Sequence, residues 1–380
     1  MLDRRLFLAA SAGLAAMPRI ALARAATDRR FVFVIQRGAA DGLSIVAPVG
    51  DPAFAGLRGA LAQDAATGAA LNPFFRLHPA LAETAKMHAA GEALFVHAVA
   101  SPYRDRSHFD GQNVLETGGA GAYRLKDGWM NRLLGLLPEG EAKAIAVSAT
   151  VPAALRGPRE VGSYAPSALP SASDDLLARV GELYGHDAQL APLWSQAMAT
   201  RTLAGDLSAG GGRNGAATGA LAAKLLSGPG GERVAFVETG GWDTHSGQRA
   251  RLDAQLKGLD ALLAALKAGL GADWSNTLVL VATEFGRTAA VNGTGGTDHG
   301  TAAAAMLLGG AVKGGRVLAD WPGLGAGALL EGRDLKPTAD LDALIANALA
   351  QHYALDLPRT ASTLFPETAR PRLTDGLIRT

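Results

Sequence analysis

The sequence contains no cysteine, and this absence removes several kinds of chemistry. Disulfide bonds, thiolate zinc sites and cysteine nucleophiles are excluded. A metal ion could therefore bind only through histidine, carboxylate, hydroxyl or carbonyl groups. An excess of charge of one sign is also missing, because the formal net charge is +1 and charged residues make up 19% of the chain. This balance favours neither nucleic acid nor an anionic membrane surface as a partner.

Long apolar runs are missing as well, and the N-terminus has the features of an export signal. The pair Arg4-Arg5, one spacer residue and Phe7-Leu8 fit the twin-arginine pattern. The apolar stretch over residues 9–17 is too short for a membrane span, and Ala-x-Ala cleavage sequences follow within 21–25. The alternative is an ordinary amphipathic N-terminal helix. We predict a signal peptide over residues 1–25, export by the twin-arginine machinery, and a periplasmic or secreted protein without a membrane span in its mature form.

Aromatic residues are few, at 6%, whereas the 48 glycines are typical of a protein with many tight loops. The length of 380 residues is enough for a large buried core. Segments rich in proline or in small polar residues predict loop insertions near 151–175 and 204–220. We expect residues 27–380 to form a single domain.

Short apolar runs alternate with helical segments along the mature chain. The runs predicted as strands are 31–35, 93–99, 144–147, 233–237 and 277–281, while 303–308 is compatible with a strand or a helix. The clearest helices are predicted over 248–270 and 339–353. This alternation indicates an α/β fold, doubly wound, with a largely parallel sheet and helices on both faces. Sites in such sheets form at the carboxyl ends of the strands.

A first candidate site follows the predicted strand 233–237. Asp243 and His245 are two residues apart, so in an extended segment both side chains point to one side and could bind one ion. The alternative is a polar turn in which Asp243 caps the helix that begins near Gln248.

Two further candidates lie in the next part of the chain. Asp298 and His299 occupy a glycine-rich loop, in which either residue could instead only orient the other. Glu284 and Arg287 directly follow the strand 277–281. A carboxylate can bind a metal or act as a base, and arginine suits an oxyanion. A surface salt bridge between them is the alternative.

A fourth candidate follows the strand 93–99. Ser107 is placed to begin a helix, beside Arg104 and Arg106. A hydroxyl at a helix N-terminus among cations suits a nucleophile that attacks an anionic ester. For a single Ser-x-x-Asp sequence, an N-cap without catalytic function is the commoner interpretation.

Together with the export signal, these motifs resemble the domain-of-unknown-function 1501 family, which looks related to the alkaline phosphatase and sulfatase superfamily. The motifs are Arg37-Gly38-Ala39-Ala40-Asp41-Gly42, Ser107-His108-Phe109-Asp110-Gly111-Gln112, Gly240-Gly241-Trp242-Asp243-Thr244-His245, Glu284-Phe285-Gly286-Arg287 and Gly296-Thr297-Asp298-His299-Gly300. The resemblance implies an alkaline-phosphatase-like fold with a metal site at the strand ends. It also implies a nucleophilic Ser107 and a set of metal ligands. Those ligands are Asp41, Asp243, His245, Glu284, Asp298 and His299.

The predicted function is metal-dependent hydrolysis of a small anionic phosphate or sulfate ester. One or two divalent ions are expected, with zinc or manganese most compatible with nitrogen and oxygen ligands. Ser107 or water would attack, and Arg106 or Arg287 would neutralise the developing charge. The alternative is a metal- or anion-binding assembly protein with a degenerate site. It is favoured by the single residue between Asp243 and His245, where phosphatases of the superfamily usually place three.

Overall fold

The computed structural model describes residues 28–138, 143–165, 174–204, 214–227, 231–368, 374 and 376–379. The predicted signal peptide lies outside the described residues. None of the helices within these ranges is long and apolar enough to cross a membrane.

The strands of the described chain fall into a large sheet and a small one. In chain order they are β1 (Arg30–Gln36), β2 (Val46–Ala47), β3 (Ala69–Ala70), β4 (Arg76–Leu77), β5 (Ala93–Ala100), β6 (Ala144–Val147), β7 (Gly162–Ser163), β8 (Val234–Thr239), β9 (Thr277–Ala282), β10 (Ala303–Leu308), β11 (Arg316–Leu318) and β12 (Ala339–Asp340). The large sheet has the order β11-β5-β10-β9-β1-β8-β6-β7, with β12 also beside β5, and β2, β4 and β3 form the small sheet.

The large sheet is parallel except at one strand. Strand β1 pairs in parallel with β8 and β9, and β6 pairs in parallel with β8. Strand β10 runs antiparallel to both of its neighbours, β5 and β9. The small residues of β10 (Ala303, Ala304 and Ala305) left its type undecided in the sequence; burial of the whole strand between two others fixes it as β.

The helices lie on both faces of the large sheet. They are α1 (Gly42–Ile45), α2 (Phe54–Arg58), α3 (Ala62–Thr67), α4 (Ala82–Ala89), α5 (His108–Thr117), α6 (Trp129–Leu134), α7 (Asp174–Tyr184), α8 (Leu190–Ala204), α9 (Gly215–Leu226), α10 (Gln248–Leu270), α11 (Leu341–Tyr353) and α12 (Leu357–Leu364). Short 3-10 helices occupy Gly59–Leu61, Ala153–Leu155 and Gly271–Asn276.

Alternation along β1 shows how the two faces are covered. Phe31 and Phe33 pack with Trp129 of α6 in one apolar cluster, to which α11 and α12 also contribute. Val32 and Val34 belong to the opposite cluster, which contains the leucines of α9 and α10. Because successive side chains of a strand point to opposite faces, the continuously apolar β1 is buried on both sides. The α/β fold with a largely parallel sheet and helices on both faces is confirmed.

Two predicted loop segments contain regular structure. Helix α9 begins at Gly215, so the loop expected to extend to 220 is wrong from that residue on. The reason is local: the side chain of Asn214 accepts hydrogen bonds from the first-turn amides of Ala216 and Ala217, and an alanine-rich sequence follows. Within the other segment, β7 pairs in parallel with β6 and forms the edge of the large sheet.

Candidate metal centre

Five loops meet at one edge of the large sheet. The parallel strands β1, β5, β8 and β9 all end there. Because β10 is antiparallel, it begins at this edge, and the Asp298–His299 loop that precedes it reaches the same place. The reversal of one strand thus brings a loop from before a strand to join loops from after strands.

A carboxylate oxygen of Asp243 is at the centre of the cluster. Asp243 Oδ1 lies 3.1 Å from Nε2 of His245, 3.2 Å from Nε2 of His299 and 3.4 Å from Nε2 of His108. The Nε2 atoms of His245 and His299 are 2.9 Å apart. Ligand atoms of His108, Asp243 and His299 lie within 4.8 Å of one another, which is compatible with a common ion.

The first imidazole, that of His108, is held by Glu284. His108 Nδ1 lies 2.8 Å from Glu284 Oε1, and its ring stacks on Phe285. Glu284 is fully buried and also accepts hydrogen bonds from the amide of Gly38 and the side chain of Gln112. Burial acts to raise the pKa of Glu284, but the hydrogen bonds from His108, Gln112 and Gly38 outweigh it and the pKa is lowered. Glu284 therefore remains a carboxylate that orients His108.

The other two imidazoles have similar supports. His245 Nδ1 lies 3.0 Å from Oδ1 of Asp298, which also accepts a hydrogen bond from Asn292. His299 Nδ1 lies 2.9 Å from the main-chain carbonyl oxygen of Arg106. Each histidine of the cluster therefore faces an oxygen on its Nδ1 side and Asp243 on its Nε2 side.

These supports determine which ring nitrogen carries the proton. A carboxylate or a carbonyl oxygen can only accept, so Nδ1 of His108, His245 and His299 must donate. In a neutral imidazole that is protonated at Nδ1, Nε2 carries a lone pair and no proton. Lone pairs of these nitrogens converge on a carboxylate oxygen, an arrangement that is repulsive unless a cation or protons lie between them. A histidine whose second nitrogen donates to an oxygen is the usual form of a metal ligand.

The separations also fit a small ion. With metal–ligand distances of about 2.0–2.1 Å, tetrahedral ligand atoms lie roughly 3.3 Å apart. The three distances from Asp243 Oδ1 to the imidazoles are 3.1, 3.2 and 3.4 Å. Nitrogen and carboxylate oxygen ligands suit a divalent ion of the kind that the sequence predicted, zinc or manganese.

The charges around Asp243 favour its ionised form. Burial acts to raise the pKa of Asp243, but Arg287, His108 and His245 lower it overall. Burial, followed by the charge of His108, lowers the pKa of His299. The hydrogen bond to Glu284 raises the pKa of His108. Without a metal, His108 is therefore more disposed than His299 to hold a proton against Asp243.

Arg287 adds a buried cation to the cluster. Its Nη2 donates to Asp243 Oδ1 at 3.0 Å, and its side chain is fully buried. Within the described part of the chain, Nε and Nη1 of Arg287 have no hydrogen-bond partner. A buried guanidinium with free donors is able to receive an anionic group.

Asp41 belongs to a separate buried group. Its Oδ2 accepts hydrogen bonds from Arg58, Gln248 and, at 2.8 Å, Ser44. Burial acts to raise the pKa of Asp41, but the charge of Arg58 outweighs it and lowers the pKa. The carboxylate is thus neutralised by a guanidinium, and Asp41 is not in the group of His108, Asp243 and His299 that could hold one ion. His245 is not in that group either, although its Nε2 lies 3.1 Å from Asp243 Oδ1.

A comparison with protein families gives one match. The model described as "Protein of unknown function (DUF1501)" matches residues 93–361, which is more than half of the chain. The chain belongs to the DUF1501 family. The match covers all the histidines and carboxylates around Asp243, whereas Asp41 precedes it.

Solved structures resemble this DUF1501 protein only distantly. The C-terminal periplasmic domain of EcEptC from Escherichia coli, in complex with Zn, is 10% identical with a TM-score of 0.40, over 77% of each chain. Alkaline phosphatase from the Antarctic bacterium TAB5 is 13% identical with a TM-score of 0.34, over 74% of this chain and 91% of the other. The phosphonate monoester hydrolase SpPMH from Silicibacter pomeroyi is 12% identical with a TM-score of 0.34, over 90% and 77%. No curated protein matches the sequence.

Ser107 and the arginines before it have the following places in the DUF1501 protein. Ser107 is the N-cap residue of α5, as expected, yet its side chain makes no capping hydrogen bond, which leaves Oγ free of the helix amides. The guanidinium of Arg106 pairs with Glu331 and Asp334, and only its carbonyl oxygen reaches the cluster. Arg104 donates to the carbonyl oxygens of Ser101 and Tyr103.

The sequence interpretation gave no role to His108. It directly follows Ser107 at the start of α5, after a buried strand, which is the same signal that selected the other loops. Its acidic partner Glu284 lies 176 residues away, so the sequence near His108 does not show which carboxylate orients it.

Proposed function

We propose that this protein binds a divalent metal ion, most compatibly zinc, through Asp243, His108, His245 and His299, and hydrolyses phosphate or sulfate esters. The observation that carries the proposal is the convergence of the Nε2 atoms of His108, His245 and His299 on Asp243 Oδ1. Their Nδ1 atoms donate to Glu284, Asp298 and the carbonyl of Arg106.

The same geometry divides the predicted ligands into three groups. Asp243, His245 and His299 would face the ion. Glu284 and Asp298 would orient the ligand imidazoles rather than contact the ion, because their oxygens accept hydrogen bonds from Nδ1 of His108 and His245. Asp41 is bound to Arg58, which favours one ion over two.

The chain's own residues support an anionic substrate. Arg287 would bind the negatively charged group through its free Nε and Nη1, beside Asp243. Ser107 precedes the ligand His108 and has a hydroxyl not used in capping, so it remains the candidate nucleophile. A divalent ion bound at this place supplies charge stabilisation to the transferred group. Without such an ion, the raised pKa of His108, which is hydrogen-bonded to Glu284, favours a proton on this imidazole beside Asp243.

The test is turnover by zinc-loaded protein on a panel of aryl phosphate monoesters, phosphodiesters and sulfate esters. We expect activity toward at least one class and a loss of at least a hundredfold in kcat/KM in His299→Ala. His186, an exposed histidine outside the cluster, provides the matched control His186→Ala, which should retain wild-type activity. Turnover unaffected by His299→Ala would refute the hydrolase.

A non-catalytic metal- or anion-binding protein is the second candidate. The observation that favours it is that Asp41, one of the predicted metal ligands, is paired with Arg58. Its signature would be thermal stabilisation by zinc or by inorganic phosphate, without turnover of any ester on the panel. Loss of this stabilisation in Asp243→Asn and Arg287→Gln would assign the binding to the same cluster.

A further inference from the structure

Among the three histidines around Asp243, His299 differs in that its Nδ1 does not face a carboxylate. The Nδ1 atoms of His108 and His245 face the carboxylates of Glu284 and Asp298, whereas His299 Nδ1 faces the carbonyl oxygen of Arg106. A main-chain carbonyl can orient a ligand only if the backbone that carries it is itself fixed. The orientation of His299 therefore depends on how the backbone at Arg106 is held.

The guanidinium of Arg106 is anchored on Asp334, which is fully buried. Asp334 Oδ2 accepts hydrogen bonds from Nη2 of Arg106 at 2.8 Å, from its Nε at 3.1 Å and from Thr301 at 2.8 Å. Both nitrogens of one edge of the guanidinium are thus bound, which fixes the side chain in orientation as well as position.

A second connection runs from Asp334 to the other side of His299. Asp334 Oδ1 accepts a hydrogen bond from Arg333 Nε at 2.9 Å, and Nη2 of Arg333 donates to the carbonyl oxygen of His299. Asp334 therefore acts on the ring of His299 through Arg106 and on its backbone through Arg333.

The backbone at Arg106 is in a conformation that needs such an anchor. Its φ is +60°, in the left-handed region that residues other than glycine rarely occupy, and Glu331, which pairs with the same guanidinium, has a φ of +54°. Strained residues that are held by a buried network commonly belong to functional sites. Here the strained residue supplies the carbonyl that faces His299.

We propose that Asp334 is a positioning residue for the metal centre, which holds the imidazole of His299 toward Asp243 through Arg106 and Arg333. The inference rests on the proposed metal site. No sequence pattern indicates this role, because Asp334 lies 35 positions after His299 and outside every motif that resembles the family.

The test is zinc affinity, measured on the mature full-length protein by competition with a chromogenic chelator, together with the visible spectrum of the cobalt-substituted protein. In Asp334→Asn we expect zinc binding to weaken by about tenfold to a hundredfold, with altered cobalt absorption. Asp334→Glu, which keeps the charge, should recover part of the affinity. Asp342→Asn removes another buried carboxylate, one that bonds to Thr368, and should bind zinc as the wild type does.

Arg333→Gln covers the case in which Asp334→Asn does not fold. The Arg333 side chain is 45% exposed, so its replacement should leave the fold intact while weakening zinc binding. Wild-type affinity and cobalt spectrum in a folded Asp334→Asn, or in Arg333→Gln, would overturn this inference alone. Absence of zinc binding in the wild type would overturn the proposed function and this inference together.

Discussion

Which ring nitrogen of each histidine carries the proton determines whether the residues around Asp243 can bind a metal ion. The sequence predicted Asp243, His245 and His299 correctly as neighbours of one another, because each lies beside a second polar residue at a strand end. It could not predict which of these residues would contact an ion and which would orient an imidazole, since that depends on the oxygen that each Nδ1 faces. Glu284 and Asp298 look like ligands in the sequence, and the structure uses them to orient imidazoles.

Long-range partners explain the other differences at this scale. Asp41 follows the first strand as a ligand would, yet it pairs with Arg58, a residue without any motif around it. His108 pairs with Glu284, which is 176 residues away, and the sequence around His108 does not show this pairing. Charged residues that pair across the fold leave no local signal.

Glu284→Gln tests the orienting role directly. Glutamine keeps the size of the side chain and an oxygen for His108 Nδ1, but it lacks the charge that strengthens this hydrogen bond. We expect zinc affinity to fall roughly tenfold, as measured by chelator competition. Glu238→Gln, at a half-exposed glutamate at the end of β8, is the control and should bind zinc normally. Equal affinities in the two variants would contradict the role.

Asp342 provides a pH dependence that is independent of the metal. Burial raises the pKa of Asp342 to about 7, well above the ordinary value of an aspartate. The folded state therefore holds this proton more tightly than the unfolded state, and stability falls as pH rises between about 4 and 7, then levels off. The free energy involved is at most about 4 kcal/mol.

Asp342→Asn should remove that dependence, because the amide stays neutral at every pH. Its oxygen can still accept the hydrogen bond from Thr368. Urea unfolding of both proteins at pH 4.5 and pH 8 should show the variant gaining stability relative to the wild type at the higher pH. A constant difference between the two proteins across this range would contradict the raised pKa.

The bounds of strands and helices could be predicted more fully than the roles of single residues. Strand β6 and helix α10 were predicted with their observed boundaries, since continuous apolar runs and leucines at helical spacing are local patterns. The direction of β10 was not predictable in this way. A buried central strand is apolar whichever way it runs. Only its pairing with β5 and β9 shows that β10 is antiparallel.

The contact between α9 and α10 depends on glycine. A Cβ on Gly219 would lie 2.1 Å from the carbonyl oxygen of Leu262, whereas a Cβ on Gly258 would meet nothing within 4 Å. Gly219→Ala should therefore destabilise the protein by about 1–3 kcal/mol. Gly258→Ala, on the facing helix, should stabilise it by about 0.5–1 kcal/mol.

The two alanine variants form a matched pair for urea unfolding. They make the same substitution on neighbouring helices, so the expected effects of opposite sign separate helix propensity from steric contact. Stabilisation by Gly219→Ala would show that the helices do not approach as closely as described.

For the whole molecule, the metal should link loops that are distant in the chain. The ligands follow β5, follow β8 and precede β10, so an ion would connect three parts of the sheet edge. Free zinc at a hundred times its dissociation constant should stabilise the fold by about 2.7 kcal/mol. We expect the Tm to rise by several degrees in wild-type protein and to stay unchanged in Asp243→Asn, as measured by calorimetry.

The zinc content of the purified mature protein tests the central claim most directly. After dialysis against metal-free buffer and reloading with zinc, atomic emission should give about one equivalent per chain in the wild type, and almost none in Asp243→Asn. No retained zinc in the wild type, or the same zinc content in Asp243→Asn, would contradict a metal centre built on Asp243.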